Sequence, residues 1–113
     1  MRVTVSRTAT DCWVHIFGEV DLSNRDDLQS ALSAIDFRSA RGVWLDLRGL
    51  TFCDSSGCLV ILRFERNARL SSHQTQIWAS NPAMRKVMSF LARDCWPAES
   101  APDLRMWAAA NHG

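Results

Sequence analysis

Residues 42–50, GVWLDLRGL, form a short apolar run with Gly42 and Gly49 at its ends. Such a run suits a strand covered on both faces and therefore central in its sheet. A central strand needs neighbours. VTVS (3–6) alternates Val3 and Val5 with hydroxyls, and DCWVHIFG (11–18) is rich in aromatic and β-branched residues before Gly18, so the two read as a hairpin. TQIWAS (75–80) reads as a further strand. Helical patterns lie between these strands. Leu22, Leu28, Ala31, Leu32 and Ile35 fall on one face, with Ser23 as a cap and Asp26 suited to the positive helix start. Residues 57–70, GCLVILRFERNARL, begin apolar all round and become amphipathic, as for a helix whose N-terminal half is buried. In NPAMRKVMSFLARD (81–94), Asn81 is a cap, Pro82 takes the first helical position, and Met84, Val87, Met88 and Leu91 follow at helical spacing. The tail, with Pro97 and Pro102, offers a last helix over 103–109 in which Leu104 and Trp107 dock.

The order strand, strand, helix, strand, helix, strand, helix predicts an α/β fold, with parallel strands joined by right-handed crossovers and opened by one antiparallel hairpin. The expected architecture is a mixed four- to five-stranded sheet with helices packed against it. It forms a single domain over 1–113, with its core at about 3–95 and a tail or last helix over 96–113. A chain of 113 residues is long enough to bury one such core. Functional loops in these sheets gather at the carboxyl ends of the strands. Residues 18–21 and 53–57 both leave strands and enter helices, so they are expected to share an edge.

A formal net charge of +1 gives no electrostatic preference for nucleic acid or membrane. No run approaches about 18 apolar residues, and the N-terminus lacks the pattern of a secretory signal. The expected location is cytoplasmic, with Cys12, Cys53, Cys58 and Cys95 as thiols. Function must come from a site.

The candidate site lies in TFCDSSGCLVIL (51–62), where an acid, two serines and a glycine separate a strand end from a helix. Asp and Ser are preferred caps because they satisfy free backbone N–H groups. Capping accounts for one polar residue. It accounts less well for Asp54, Ser55 and Ser56 together, followed by Gly57 where glycine costs helix stability. The same geometry tolerates a phosphate on an exposed serine, because a helix N-terminus offers N–H donors and partial positive charge. Gly57 lets a kinase or partner approach the backbone closely. A phosphate there adds about 1.5 to 2 negative charges beside Asp54, enough to abolish an interface without catalysis by this chain.

GEVDLSNRDDL and GVWLDLRGLTFCDSSGCLVIL together resemble the STAS domain of the bacterial anti-sigma factor antagonist family, over about residues 3–95. The resemblance implies partner switching: the unphosphorylated antagonist binds an anti-sigma factor that is also its serine kinase, and so releases a sigma factor for transcription. Phosphorylation at the second serine of the motif, Ser56, breaks that complex, and a metal-dependent serine phosphatase of the PP2C type restores it. It also implies that Asp21 lies near the phosphoacceptor and that Asp54, Ser55, Ser56 and Gly57 belong to the recognised loop. The kinase supplies ATP and magnesium, so this chain needs no cofactor. One departure is Cys58, where the family usually has Leu or a similar apolar residue; Cys packs as a small hydrophobe. The alternative within the family is a scaffold or sensor-complex subunit in which Ser56 only caps the helix.

Other constellations are weaker. A hydrolase nucleophile elbow requires G-x-S-x-G, and none of His15, His73 and His112 is placed as a base for the serine. Cys12 with His15, or Cys53 with Cys58, lacks zinc-ligand spacing; Cys12 and His15 should point to opposite sheet faces. A reactive Cys53 beside the site requires exposure. Arg63, Arg66 and Arg69, with Glu65 among them, read as a solvated helix face. Trp13, Trp44, Trp78, Trp96 and Trp107 read as core or rim packing, with Trp96 and Trp107 the interface candidates.

Overall fold

A computed structural model of the chain describes residues 1–79, 81–95 and 104–106. Strands β1 (Arg2–Arg7) and β2 (Asp11–Val20) form the antiparallel hairpin. Then follow α1 (Arg25–Ser33), β3 (Gly42–Asp46), β4 (Leu50–Cys53), α2 (Ser55–Leu70), β5 (Gln74–Ala79), α3 (Pro82–Cys95) and β6 (Leu104–Met106). The sheet runs β1-β2-β3-β5-β6, and β4 pairs with the far end of β2. All pairings beyond the hairpin are parallel, so the mixed α/β sheet is as expected.

Three local readings change. The 42–50 run divides, because β3 stops at Asp46 and β4 begins at Leu50 after a turn in which the Leu50 N–H donates to Leu47 O (3.1 Å). In place of a helix over 103–109, residues 104–106 form β6; the rest of that segment lies outside the described residues. Local spacing at 104–107 fits a helix, but pairing with β5 decides the conformation. Ser23 does not cap α1. Asn24 is the boundary residue, and the Ser23 hydroxyl donates to Asp21 Oδ1.

Successive crossovers advance across the sheet in one direction from β2 to β6. Right-handedness therefore places all three helices on one face. Between helices and sheet lie Val14, Ile16, Leu28, Leu32, Leu45, Ile61, Leu62, Ile77 and Met88, none more than 2% exposed. The N-terminal half of α2 is buried on most sides, matching its apolar start. Asn81 caps α3 as expected, accepting from the Ala83 and Met84 N–H groups. The open face carries Trp13, Trp44 and Trp78 in mutual contact, with ring centroids 5.2 to 6.2 Å apart: Trp13 stacks on Trp78, while Trp44 meets Trp13 at a tilt and Trp78 edge-on. Trp96 and Trp107 lie outside the described residues. Among the described residues, no helix is long and apolar enough to cross a membrane.

Candidate functional site at the β2 and β4 carboxyl ends

Parallel pairing of β2 with β4 sets Val20 opposite Cys53, and the Asp54 N–H donates to Val20 O (3.1 Å). The two loops thus leave the sheet side by side, as their sequence positions predicted. A bulge between Gly18 and Glu19 re-aims the end of β2 toward this edge, with Gly18 at φ 95°, a left-handed value that glycine adopts without strain.

The loop after β2 ties itself. Asp21 Oδ1 accepts from the Ser23 N–H (2.8 Å) and hydroxyl, Asn24 Oδ1 accepts from the Asp21 N–H (3.0 Å), and Asn24 Nδ2 donates to Glu19 O (2.9 Å). The Ser23 hydroxyl, followed by its backbone N–H, lowers the Asp21 pKa below its ordinary value. Leu22, placed by its spacing on the α1 apolar face, instead sits in this loop at 70% exposure.

At the start of α2, Asp54 is the cap. Its Oδ1 accepts from the Gly57 N–H (2.9 Å) and from the Ser56 hydroxyl (2.7 Å). The first of these bonds, then the second, holds its carboxyl below the ordinary range, against a smaller upward push from Asp21. Asp54 is therefore a carboxylate at neutral pH, facing Ser56. Ser55 is exposed and Ser56 half-buried. Gly57 requires a correction, because the space it leaves faces inward. A Cβ there would lie 2.6 Å from Val20 Cγ1 and 2.7 Å from Cys53 Sγ, so glycine lets α2 seat on the sheet rather than opening the backbone to a partner.

Cys12, Cys53 and Cys58 are buried free thiols. Cys58 Sγ donates to Cys53 O (3.7 Å), and contact with Cys58, burial and Asp54 all push the Cys53 thiol up, which makes it an inert neutral group. No three His, Cys, Asp or Glu side chains among the described residues come together as a metal site. The histidines are engaged elsewhere: His15 Nδ1 lies 3.0 Å from Asp46 Oδ2 on the open face, and His73 Nδ1 lies 2.6 Å from Ala40 O. His112 is outside the described residues.

The solvated stripe predicted on α2 is also corrected. Arg63 is exposed, but Glu65 is fully buried, accepting from Arg69 Nε (3.0 Å) and Nη2 (3.1 Å) and from the Thr75 hydroxyl. Two exposed apolar residues lie on the elements that carry the site: Leu22, which helical spacing assigns to a buried face, and Phe52, which the sequence does not single out. Leu22 and Phe52 are 70% and 51% exposed on the loop after β2 and on β4. The signal for Leu22 was its place before the helix start; for Phe52 there was none, because β4 itself was not visible.

The family profile described as "Mlab, STAS domain" matches residues 3–94. The chain belongs to the STAS domain family. This STAS domain is 28% identical over 92 residues to an anti-sigma F factor antagonist of Lysinibacillus sphaericus, covering 80% of this chain and 78% of the relative. Its fold is similar to that of an anti-sigma factor antagonist from Mycobacterium paratuberculosis (TM-score 0.71, 18% identity, 97% of this chain and 88% of the other). It is also similar to the Bacillus cell fate determinant SpoIIAA in its phosphorylated form (TM-score 0.65, 20% identity, 98% and 96%). At these identities the solved structures speak for the fold of this STAS domain.

Proposed function

We propose that this STAS domain is an anti-sigma factor antagonist. Unphosphorylated, it binds a serine-kinase anti-sigma factor through Asp21, Asp54, Ser55 and Ser56, with Leu22 and Phe52 as apolar anchors, and so frees a sigma factor. Phosphorylation of Ser56 ends the complex, and a PP2C-type serine phosphatase restores it. The setting is the cytoplasm. The observation that carries this reading is the division of work in the first turn of α2. Asp54 makes the cap, so the Ser56 hydroxyl is not needed for it and stands at the helix start beside a carboxylate. A scaffold in which Ser56 merely caps the helix lacks that support. The names of the Lysinibacillus relative and of phosphorylated SpoIIAA agree with the proposal.

The chemistry follows from the geometry. Transfer of the γ-phosphoryl group of the kinase's ATP forms a bond to Ser56 Oγ, breaks the bond to the β–γ bridging oxygen, and releases ADP and the hydroxyl proton. The Ser56 to Asp54 hydrogen bond is lost with that proton. A dianion then faces the Asp54 carboxylate, and a partner surface fitted to the neutral hydroxyl meets repulsion and a desolvation cost. The protein acts by binding; Ser56 has no imidazole base among the described residues.

The test is incubation with the anti-sigma kinases of the source organism and ATP, followed by mapping of phosphate by mass spectrometry. One phosphate at Ser56, absent from Ser56→Ala, is expected. No modification with any of these kinases overturns the switch.

A further inference from the structure

We propose that Arg25 and Arg63 form a clasp that takes up the phosphoryl group of phosphorylated Ser56 within the same chain, deepening the reading of Ser56 as the modified residue, on which it rests. Ser56, Leu59, Val60 and Arg63 are spaced i, i+3, i+4 and i+7 and share one face of α2. Opposite them, Arg25 opens α1. Between the helices lies a depression of about 320 Å³ whose lining includes all of these residues and Asp26.

Both guanidiniums are available. Arg63 is exposed and makes no hydrogen bond or ion pair with any described residue. Arg25 Nε lies 3.6 Å from Asp26 Oδ1, but Asp26 is 94% exposed, and such a surface pair is weak. The direction taken by the phosphoryl group is set from the other side. Ser56 Oγ now points at Asp54 Oδ1, and a dianion cannot remain against that carboxylate. Rotation about the Ser56 Cα–Cβ bond carries it away from Asp54 and into the depression. Arg63 is two turns along α2, about 10 Å of rise, and its long side chain leans toward the helix N-terminus, closing that gap. Arg25 approaches from α1. Guanidinium forks match phosphate oxygens in paired hydrogen bonds, so two of them outweigh Asp26 at the rim. The clasp bridges α1 and α2.

The test uses the full chain with phosphoserine incorporated at position 56 during translation, so that no kinase is needed. Phosphorus NMR follows the second ionisation of the phosphate with pH in wild type, Arg25→Gln, Arg63→Gln and the double variant. Arg41→Gln, an exposed position before β3 at the other end of the sheet, controls for net charge. The clasp predicts an ionisation constant in wild type about threefold or more above that of the double variant, with single variants between and the control unchanged. Coincident titrations of wild type and double variant overturn it, as does an equal shift in the control. A failure here leaves phosphorylation of Ser56 untouched, because phosphosite mapping with the kinase tests that separately.

Discussion

Gly57 and Asp54 bear opposite kinds of constraint within one turn. Gly57 is held by close packing against Val20 and Cys53, so Gly57→Ala forces the start of α2 off the β2 and β4 ends. The expected loss is about 1–3 kcal/mol, read from urea unfolding. Asp54→Ala removes the cap and is expected to cost about 1 kcal/mol in the same measurement. The run of small and polar residues at 54–57 was legible as a helix start and a candidate site. Which serine is free of capping was not, because that depends on where the Asp54 carboxylate turns. Nor was the job of Gly57, since its reason lies on β2, 37 residues earlier in the chain.

Among the elements, α2 is the one whose sequence misleads most. A glutamate amid arginines reads as solvent-facing, yet Glu65 is buried because Thr75 on β5 and Arg69 one turn on satisfy its oxygens. Glu65→Ala leaves the Arg69 side chain and the Thr75 hydroxyl without that acceptor, and a loss of about 2 to 3 kcal/mol is expected from denaturant unfolding. The end of β3 makes a pH-dependent contribution. Burial pushes the Asp46 carboxyl up, but the Arg48 side chain and N–H and the His15 ring outweigh it and hold its pKa below the ordinary value. The unfolded chain thus takes up this proton at higher pH than the folded one. Asp46 therefore contributes fully above the ordinary carboxylate range and loses that contribution as pH falls through and below about 4. Unfolding curves of wild type and Asp46→Asn are expected to differ at pH 7 and to converge toward pH 2. Helices with local signals, such as the Asn81 and Pro82 start of α3, were legible from their own residues. Strands β4 and β6 were not, because short strands are stabilised by partners distant in the chain.

At the scale of the molecule, the one-way march of crossovers leaves a helical face, an open aromatic face and an edge where two loops meet. That edge combines the carboxylates of Asp21 and Asp54, the hydroxyls of Ser55 and Ser56, and the exposed rings and chains of Phe52 and Leu22. Phe52→Ala is expected to cost about 1 kcal/mol in urea unfolding, since half the residue is exposed, while weakening partner binding by about tenfold or more in calorimetry. The alternation of strands and helices made this edge predictable before its contents were known. Its apolar part was hidden because exposure of single residues is set by tertiary packing. The most direct test of the switch is the affinity of the chain for the kinase that modifies it, measured before and after quantitative phosphorylation of Ser56 in one preparation. A drop of about a hundredfold or more is the predicted result; equal affinity of the two forms would contradict the account.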